Sequence, residues 1–230
     1  EFNNITKRED AVRRCSSEGY ECDKIAIEKI KHFVSKDALN IEGFGKKIVE
    51  NFWNLNLIKL PQDIFNLDFK KIENLAGWGK QSMENLKYSI NQKKNITLDK
   101  LIYSLGIRHI GLENAKILSK YFKSFSNFIN FSNEKNLDDI LNIDGIGETQ
   151  LQSVKNFFDN KVNLNILKEL QKILEVKNAV TKDINGLLNE KTFMVTGKLN
   201  GISRAEVKSL IEENSGSSVS TVSKKLDYLI

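Results

Sequence analysis

Four stretches decide how this chain folds: Ile41-Glu-Gly-Phe-Gly45, Leu75-Ala-Gly-Trp-Gly79, Ile107-Arg-His-Ile-Gly111 and Ile143-Asp-Gly-Ile-Gly147. Their final glycines are 34, 32 and 36 residues apart, a period at which self-similarity marks a repeated supersecondary unit. Four residues before that glycine every copy is apolar (Ile41, Leu75, Ile107, Ile143), and so is the residue just before it (Phe44, Trp78, Ile110, Ile146). Val49, Met83, Ala115 and Leu151 stand four residues after it, and Phe52, Leu86, Leu118 and Val154 seven after. This spacing stacks both positions on one face of a helix, so both are expected to be buried. Eleven residues on, Ile90, Phe122 and Phe158 continue the stripe while Asn56 breaks it, which predicts a shorter second helix in the first copy.

Each unit therefore reads as helix, tight glycine turn, helix. The leading helices are expected near Lys24–Ser35, Asp68–Glu73 (short), Leu98–Leu105 and Leu137–Leu141. Pro61, the only proline, falls between copies one and two, where a helix should not continue. The G-x-G turns admit positive φ, which glycine adopts at little cost. Each second glycine opens a helix whose first N–H groups have no partner within the helix, and whose dipole places positive charge there. Such an end suits an anion. Four of them would form a row of phosphate clamps that hold a nucleic-acid backbone without reading bases. The candidate contacts are Gly43, Gly45, Lys46, Gly77, Gly79, Lys80, Arg108, Gly111, Lys116, Gly145 and Gly147, with Lys47 beside Lys46. Glu148 follows the fourth turn and predicts a weaker or non-contacting copy. A protein-binding helical scaffold is the competing reading, because tetratricopeptide arrays share the 34-residue period; their pattern of large and small residues is missing here while the glycines recur.

After Val180 the character changes. Lys191–Thr196 is a short β-branched run that suggests a buried strand. Ser203 and Glu206 form a capping box for a helix over about Arg204–Glu213, with Gly216 suited to its carboxyl-terminal cap. Ser218–Val222 and Asp227–Ile230 read as further strands of an incomplete sheet. The fold class expected is mainly α, with a small α/β domain at the end.

A chain of 230 residues with 40% hydrophobic content is long enough for more than one packed unit. No apolar run reaches the ~18 residues of a membrane span, and the start is polar, without a signal-peptide pattern. A soluble, cytoplasmic monomer is expected, with no membrane partner. The net charge of +5 would suit a polyanion, but the abundance of Lys, Asn and Ile is what an AT-rich genome produces, so bulk charge carries little weight. Cys15 and Cys22 are the only cysteines. They fit no disulfide framework, and a structural zinc site wants four ligands.

The four units resemble helix-hairpin-helix motifs, and their run is similar to the fourfold helix-hairpin-helix domain of bacterial NAD-dependent DNA ligases. Lys31-His-Phe-Val-Ser-Lys-Asp-Ala-Leu-Asn-Ile-Glu-Gly-Phe-Gly45 and Leu101-Ile-Tyr-Ser-Leu-Gly-Ile-Arg-His-Ile-Gly111 carry the resemblance. It implies a four-cysteine zinc module before the repeats, of which Cys15 and Cys22 would be the second pair, although Cys22-Asp-Lys-Ile25 departs from the family's Cys-Pro-Ala-Gln. A BRCT domain would follow, matched by Thr192-Phe-Met-Val-Thr-Gly-Lys-Leu199 and by the stretch from Gly216 to Ile230. The resemblance divides the chain into a zinc-module remnant with a leading helix (1–37), helix-hairpin-helix repeats (38–180) and an incomplete BRCT domain (189–230). It implies nicked duplex DNA as partner and a bacterial, nucleoid-associated setting.

No catalytic residue is expected here. The family adenylates a lysine in Lys-x-Asp-Gly, whereas Asn142-Ile-Asp-Gly145 has the wrong first residue, and Gly77-Trp-Gly-Lys-Gln-Ser82 lacks the length of a Walker phosphate loop. NAD and magnesium would be bound elsewhere in the parent enzyme. His32 on a packed helix and His109 in a first-glycine place have bland readings. Another helix-hairpin-helix repair protein is the alternative within the nucleic-acid class.

Overall fold

The computed structural model describes residues 2–3, 8–9, 19–75, 77–131, 140, 141, 143, 145–178, 186–197, 204–219 and 226–230. Helix dominates, as the sequence leads one to expect. The chain divides into two compact units, Glu1–Ala179 and Val180–Ile230.

In the first unit two short strands, β1 (Phe2–Asn3) and β2 (Arg8–Glu9), pair antiparallel. The helices then run α1 (Asp23–Val34), α2 (Lys46–Asn54), α3 (Phe69–Glu73) and α4 (Lys80–Gln92). Strand β3 (Asn95–Thr97) leads into α5 (Leu98–Ser104), followed by α6 (Leu112–Phe122) and α7 (Phe125–Asn130). The unit ends with α8 (Glu148–Asp159), α9 (Lys161–Ile173) and β4 (Glu175–Lys177). Three leading helices fall where expected, and α2 is the shortest of the four second helices, because Asn56 leaves the helix with φ +55. The expected helix near Leu137–Leu141 lies mostly outside the described residues. Pro61 does more than break a helix: it opens a 3-10 helix, Pro61–Asn66, as its fixed φ allows at a first turn.

The helical stripes meet in one core. Val49, Phe52, Leu86, Ile90, Ala115, Leu118, Phe122, Leu151, Val154 and Phe158 are all buried in it. Met83 differs from its three counterparts, being only half-buried. The parallel pairing of β3 with β4 ties the start of α5 to the end of α9, a link that no sequence signal indicated. His32 joins α1 to α5: its Nε2–H donates to the Tyr103 carbonyl at 2.8 Å, and the two rings meet edge-on.

The second unit is a three-stranded parallel sheet, order β6-β5-β7, with one helix. Its elements are β5 (Thr192–Met194), α10 (Arg204–Glu213), β6 (Ser217–Ser218) and β7 (Tyr228–Leu229). Phe193, Val195 and Ile211 form its core. The Asp227 carboxylate accepts from the Thr192 backbone N–H at 2.7 Å and from its hydroxyl at 2.8 Å, and these bonds hold its pKa below the ordinary value. The helix cap is one residue earlier than expected. Ser215, at φ +70, takes the left-handed position, its N–H bonding to Glu212 and that of Gly216 to Ile211 in a Schellman arrangement. Gly216 is required for a different reason, since a Cβ there would lie 2.6 Å from Ile211 Cγ2 and 3.1 Å from the Phe193 ring. Ser203 and the side chain of Glu206 lie outside the described residues.

Candidate nucleic-acid interface

The four turns share one backbone geometry. In each, the residue before the final glycine donates its N–H to the carbonyl three residues back: Phe44 to Ile41, Trp78 to Leu75, Ile110 to Ile107 and Ile146 to Ile143, at 3.1–3.2 Å. The residue between is left-handed in all four, Gly43, Gly77, His109 and Gly145 having φ of +78, +85, +62 and +90. His109 thus fills a glycine's place, as histidine tolerates this region better than most residues do.

The second glycines behave differently from expectation. Gly45, Gly79, Gly111 and Gly147 have φ of −70, −88, −84 and −107, extended backbone that any residue adopts. Packing does not demand glycine at the first three either, because a Cβ on Gly45, Gly79 or Gly111 would meet nothing within 4 Å. All three are exposed, at the open ends of α2, α4 and α6. No described side chain accepts from the opening amides of these helices. Elsewhere the chain does supply caps: Asp68 accepts from Lys70 N, Ser124 from Asn127 N, and Asn160 from Val162 N and Asn163 N. Bare glycine at an open helix start leaves room for an outside acceptor to approach the backbone.

The fourth turn departs from the others. Gly147 N–H donates to Gln150 Oε1 at 3.2 Å, and Glu148 adds an exposed carboxylate in the first turn of α8. Gln150 stands at the third helical position, where a capping box places Gln or Glu; the sequence reading missed this signal.

The cations sort in the same way. Lys46, Lys47, Lys80 and Arg108 are exposed, and none forms an ion pair among the described residues. Lys116 is half-buried and lies 3.4 Å from Glu113, so part of its charge is met within α6. Beside the first hairpin Lys31 bridges Glu28 and Glu50, each at 2.6 Å; these hydrogen bonds raise the Lys31 pKa and lower that of Glu50.

Hairpins associate in pairs. Trp78, in the second turn, packs its ring 5.4 Å from that of Phe52, seven residues past Gly45. Reciprocally, Gly43 in the first turn lies beside Leu86, seven residues past Gly79. Both turns line one groove of about 910 Å³ along α4. In the second pair, a Cβ on Gly145 would come within 2.9 Å of Ile117 Cδ1 in α6. Cys22 immediately precedes α1 and is half-buried with a free thiol, while Cys15 lies outside the described residues. Among the described residues no three His, Cys, Asp or Glu side chains gather as a metal site, and no helix is long and apolar enough to cross a membrane.

Residues 100–167, which hold the third and fourth turns, match the helix-hairpin-helix motif family. Along its whole length the chain is similar to proteins named DNA ligase. It is 66% identical over 230 residues to that of Pelagibacter ubique (strain HTCC1062), covering all of this chain and 34% of the relative. It is 39% identical over 234 residues to that of Rickettsia bellii (strain RML369-C) and 40% identical over 227 to that of Wolbachia pipientis wMel, covering 96% of this chain and 34% of either relative. The chain therefore spans about a third of the length of these relatives.

Proposed function

We propose that this chain grips the duplex around a nick within an NAD-dependent DNA ligase that joins 5'-phosphate to 3'-hydroxyl. The observation that carries this reading is the set of glycines at 45, 79 and 111, where neither backbone conformation nor packing calls for glycine and the helix amides stand open. A phosphate oxygen would supply the missing cap, and Lys46, Lys80 and Arg108 would add charge from the side. Such contacts hold the backbone of any sequence alike.

The nucleotidyl-transfer chemistry, with NAD and magnesium, resides outside this chain, which has no Lys-x-Asp-Gly. The chain alone should take no label from radioactive NAD and seal no nick. Cys15 and Cys22 do not fit a complete zinc site by themselves, since two thiols are half of a tetrahedral set. In the parent protein they would join two further ligands. Metal analysis should then find weak, substoichiometric zinc in this chain and one tight zinc in the full-length protein. Residues 189–230 would be part of a BRCT domain, and the protein a cytoplasmic monomer.

Duplex binding measured across a salt series tests the central reading. Affinity should be independent of sequence and fall steeply with salt, as expected when bound cations displace counterions. Salt-insensitive binding, or no binding, would favour the protein-scaffold reading instead.

A further inference from the structure

The contact between α1 and α5 stands where the two hairpin pairs meet. The first pair is joined by Trp78 on Phe52 and Gly43 beside Leu86, the second by Gly145 beside Ile117, and none of these contacts reaches from one pair to the other. α1 leads into the first turn and α5 into the third. Consecutive residues of α1 serve the two sides: Lys31 bridges to Glu50 of α2, and His32 reaches α5.

The His32 bond falls in the last turn of α5, which ends at Ser104. The last carbonyls of a helix have no partner within it. That of Tyr103 accepts twice, from Gly106 N–H at 3.1 Å and from His32 Nε2–H at 2.8 Å. Gly106 then turns left-handed at φ +61, so close to the imidazole that an added Cβ would lie 3.3 Å from His32 Cδ2. Ile107, the next residue, begins the third turn. One side chain of α1 is thus set against both the end of α5 and the bend from which the third turn departs.

We infer that His32 is a positioning residue: by capping α5 from α1 it fixes the third turn, with Arg108 and Gly111, relative to the first hairpin pair, so that both pairs meet one duplex together. The inference rests on the DNA-gripping reading above. Linked contacts reinforce one another only while the link holds them at the separation the ligand requires. Releasing the end of α5 would leave each turn intact and misplace the third with respect to the first two.

Duplex binding by the chain across a salt series tests this as a double-variant cycle. His32→Phe keeps a ring against Gly106 and removes the donor, while the Tyr103 carbonyl keeps its bond from Gly106 and is not orphaned. Arg108→Ala should lower the slope by about one unit in the unsubstituted chain and leave it nearly unchanged in the His32→Phe background, where the third turn no longer meets the strand. Lys80→Ala, in the first pair, should lower it by about one unit in both backgrounds. His32→Gln, whose amide N–H can take the place of Nε2–H, should restore the response to Arg108→Ala. His32→Leu replaces His32→Phe in the cycle if melting shows that the phenyl ring does not fit. A full response to Arg108→Ala in the His32→Phe background would overturn the inference. So would joint loss of the Arg108 and Lys80 responses, which marks general damage to the fold. If neither Arg108→Ala nor Lys80→Ala changes the slope of the unsubstituted chain, the clamps themselves fail and the coupling falls with them.

Discussion

The second and fourth hairpins are built on the same backbone and differ at their helix starts. Gly77 and Gly145 have nearly equal φ, and Trp78 and Ile146 close the turn with the same hydrogen bond. At Gly79 no side chain accepts from the opening amides of α4 and Lys80 stands beside them, while at Gly147 the glycine's own N–H is taken by Gln150 and Glu148 stands where a cation would help. The turn is the same in both copies, and the residues after it differ in charge and in side-chain bonding.

The largest effect should come from closing the second hairpin in the manner of the fourth. Gly79→Asp places a carboxylate at a backbone conformation it readily adopts, with nothing to clash against. As an N-cap it should stabilise α4 by a few tenths of a kcal/mol. It should also occupy the amides and repel phosphate, so duplex affinity should fall about tenfold or more while melting rises slightly. Opposite signs in the two measurements are the signature; a parallel loss would indicate damage to the fold instead.

Gly77→Val tests the other half of the comparison. At φ +85 a β-branched residue is strained by about 1 to 3 kcal/mol, so melting and DNA affinity should fall together, melting by about 2 to 4 °C for each kcal/mol. The same change at Gly79 should cost little stability, in contrast to what the paired glycines suggest on sequence alone. Next in size are the side-chain cations. Lys80→Ala and Arg108→Ala should each lower the salt slope by about one unit. Lys172→Ala should leave it unchanged, because that lysine already lies 2.6 Å from Glu169 on α9.

The repeat was legible because its information is local and periodic: apolar residues at four and seven past each glycine became the buried faces of α2, α4, α6 and α8, with Met83 alone left half-covered. What each glycine does was not legible from composition. The left-handed residue is the first of each pair, and His109 shows that the conformation is set by the closing hydrogen bond as well as by residue type. Non-local features also stayed hidden. Strands of three residues, Asn95–Thr97 and Glu175–Lys177, are too short to announce their pairing. The groove along α4 depends on Gly43 meeting Leu86 from another copy, which no spacing within one copy reveals. In the second unit, the left-handed cap fell to Ser215 because Gly216 was needed where α10 crosses Phe193 too closely for any side chain.

The smallest expected effect is the reverse operation, opening the fourth hairpin. Gln150→Ala removes the acceptor from Gly147 N–H, and Glu148→Lys replaces the nearby carboxylate with a cation. Neither residue is buried, so the core of α8, formed by Leu151, Val154 and Phe158, should be undisturbed. Loss of the cap should lower stability by about 0.5 to 1 kcal/mol. If the fourth helix end faces the same duplex as the others, the double variant should bind DNA about two- to threefold more tightly at low salt and gain about one unit of slope. The gain should vanish when Gly145→Val is added, since the turn then no longer aims the amides. An unchanged slope in the double variant would mean that position on the scaffold, rather than Gln150 and Glu148, keeps this hairpin from the strand. The fourth copy would then be a structural partner of the third, held by the contact of Gly145 with Ile117.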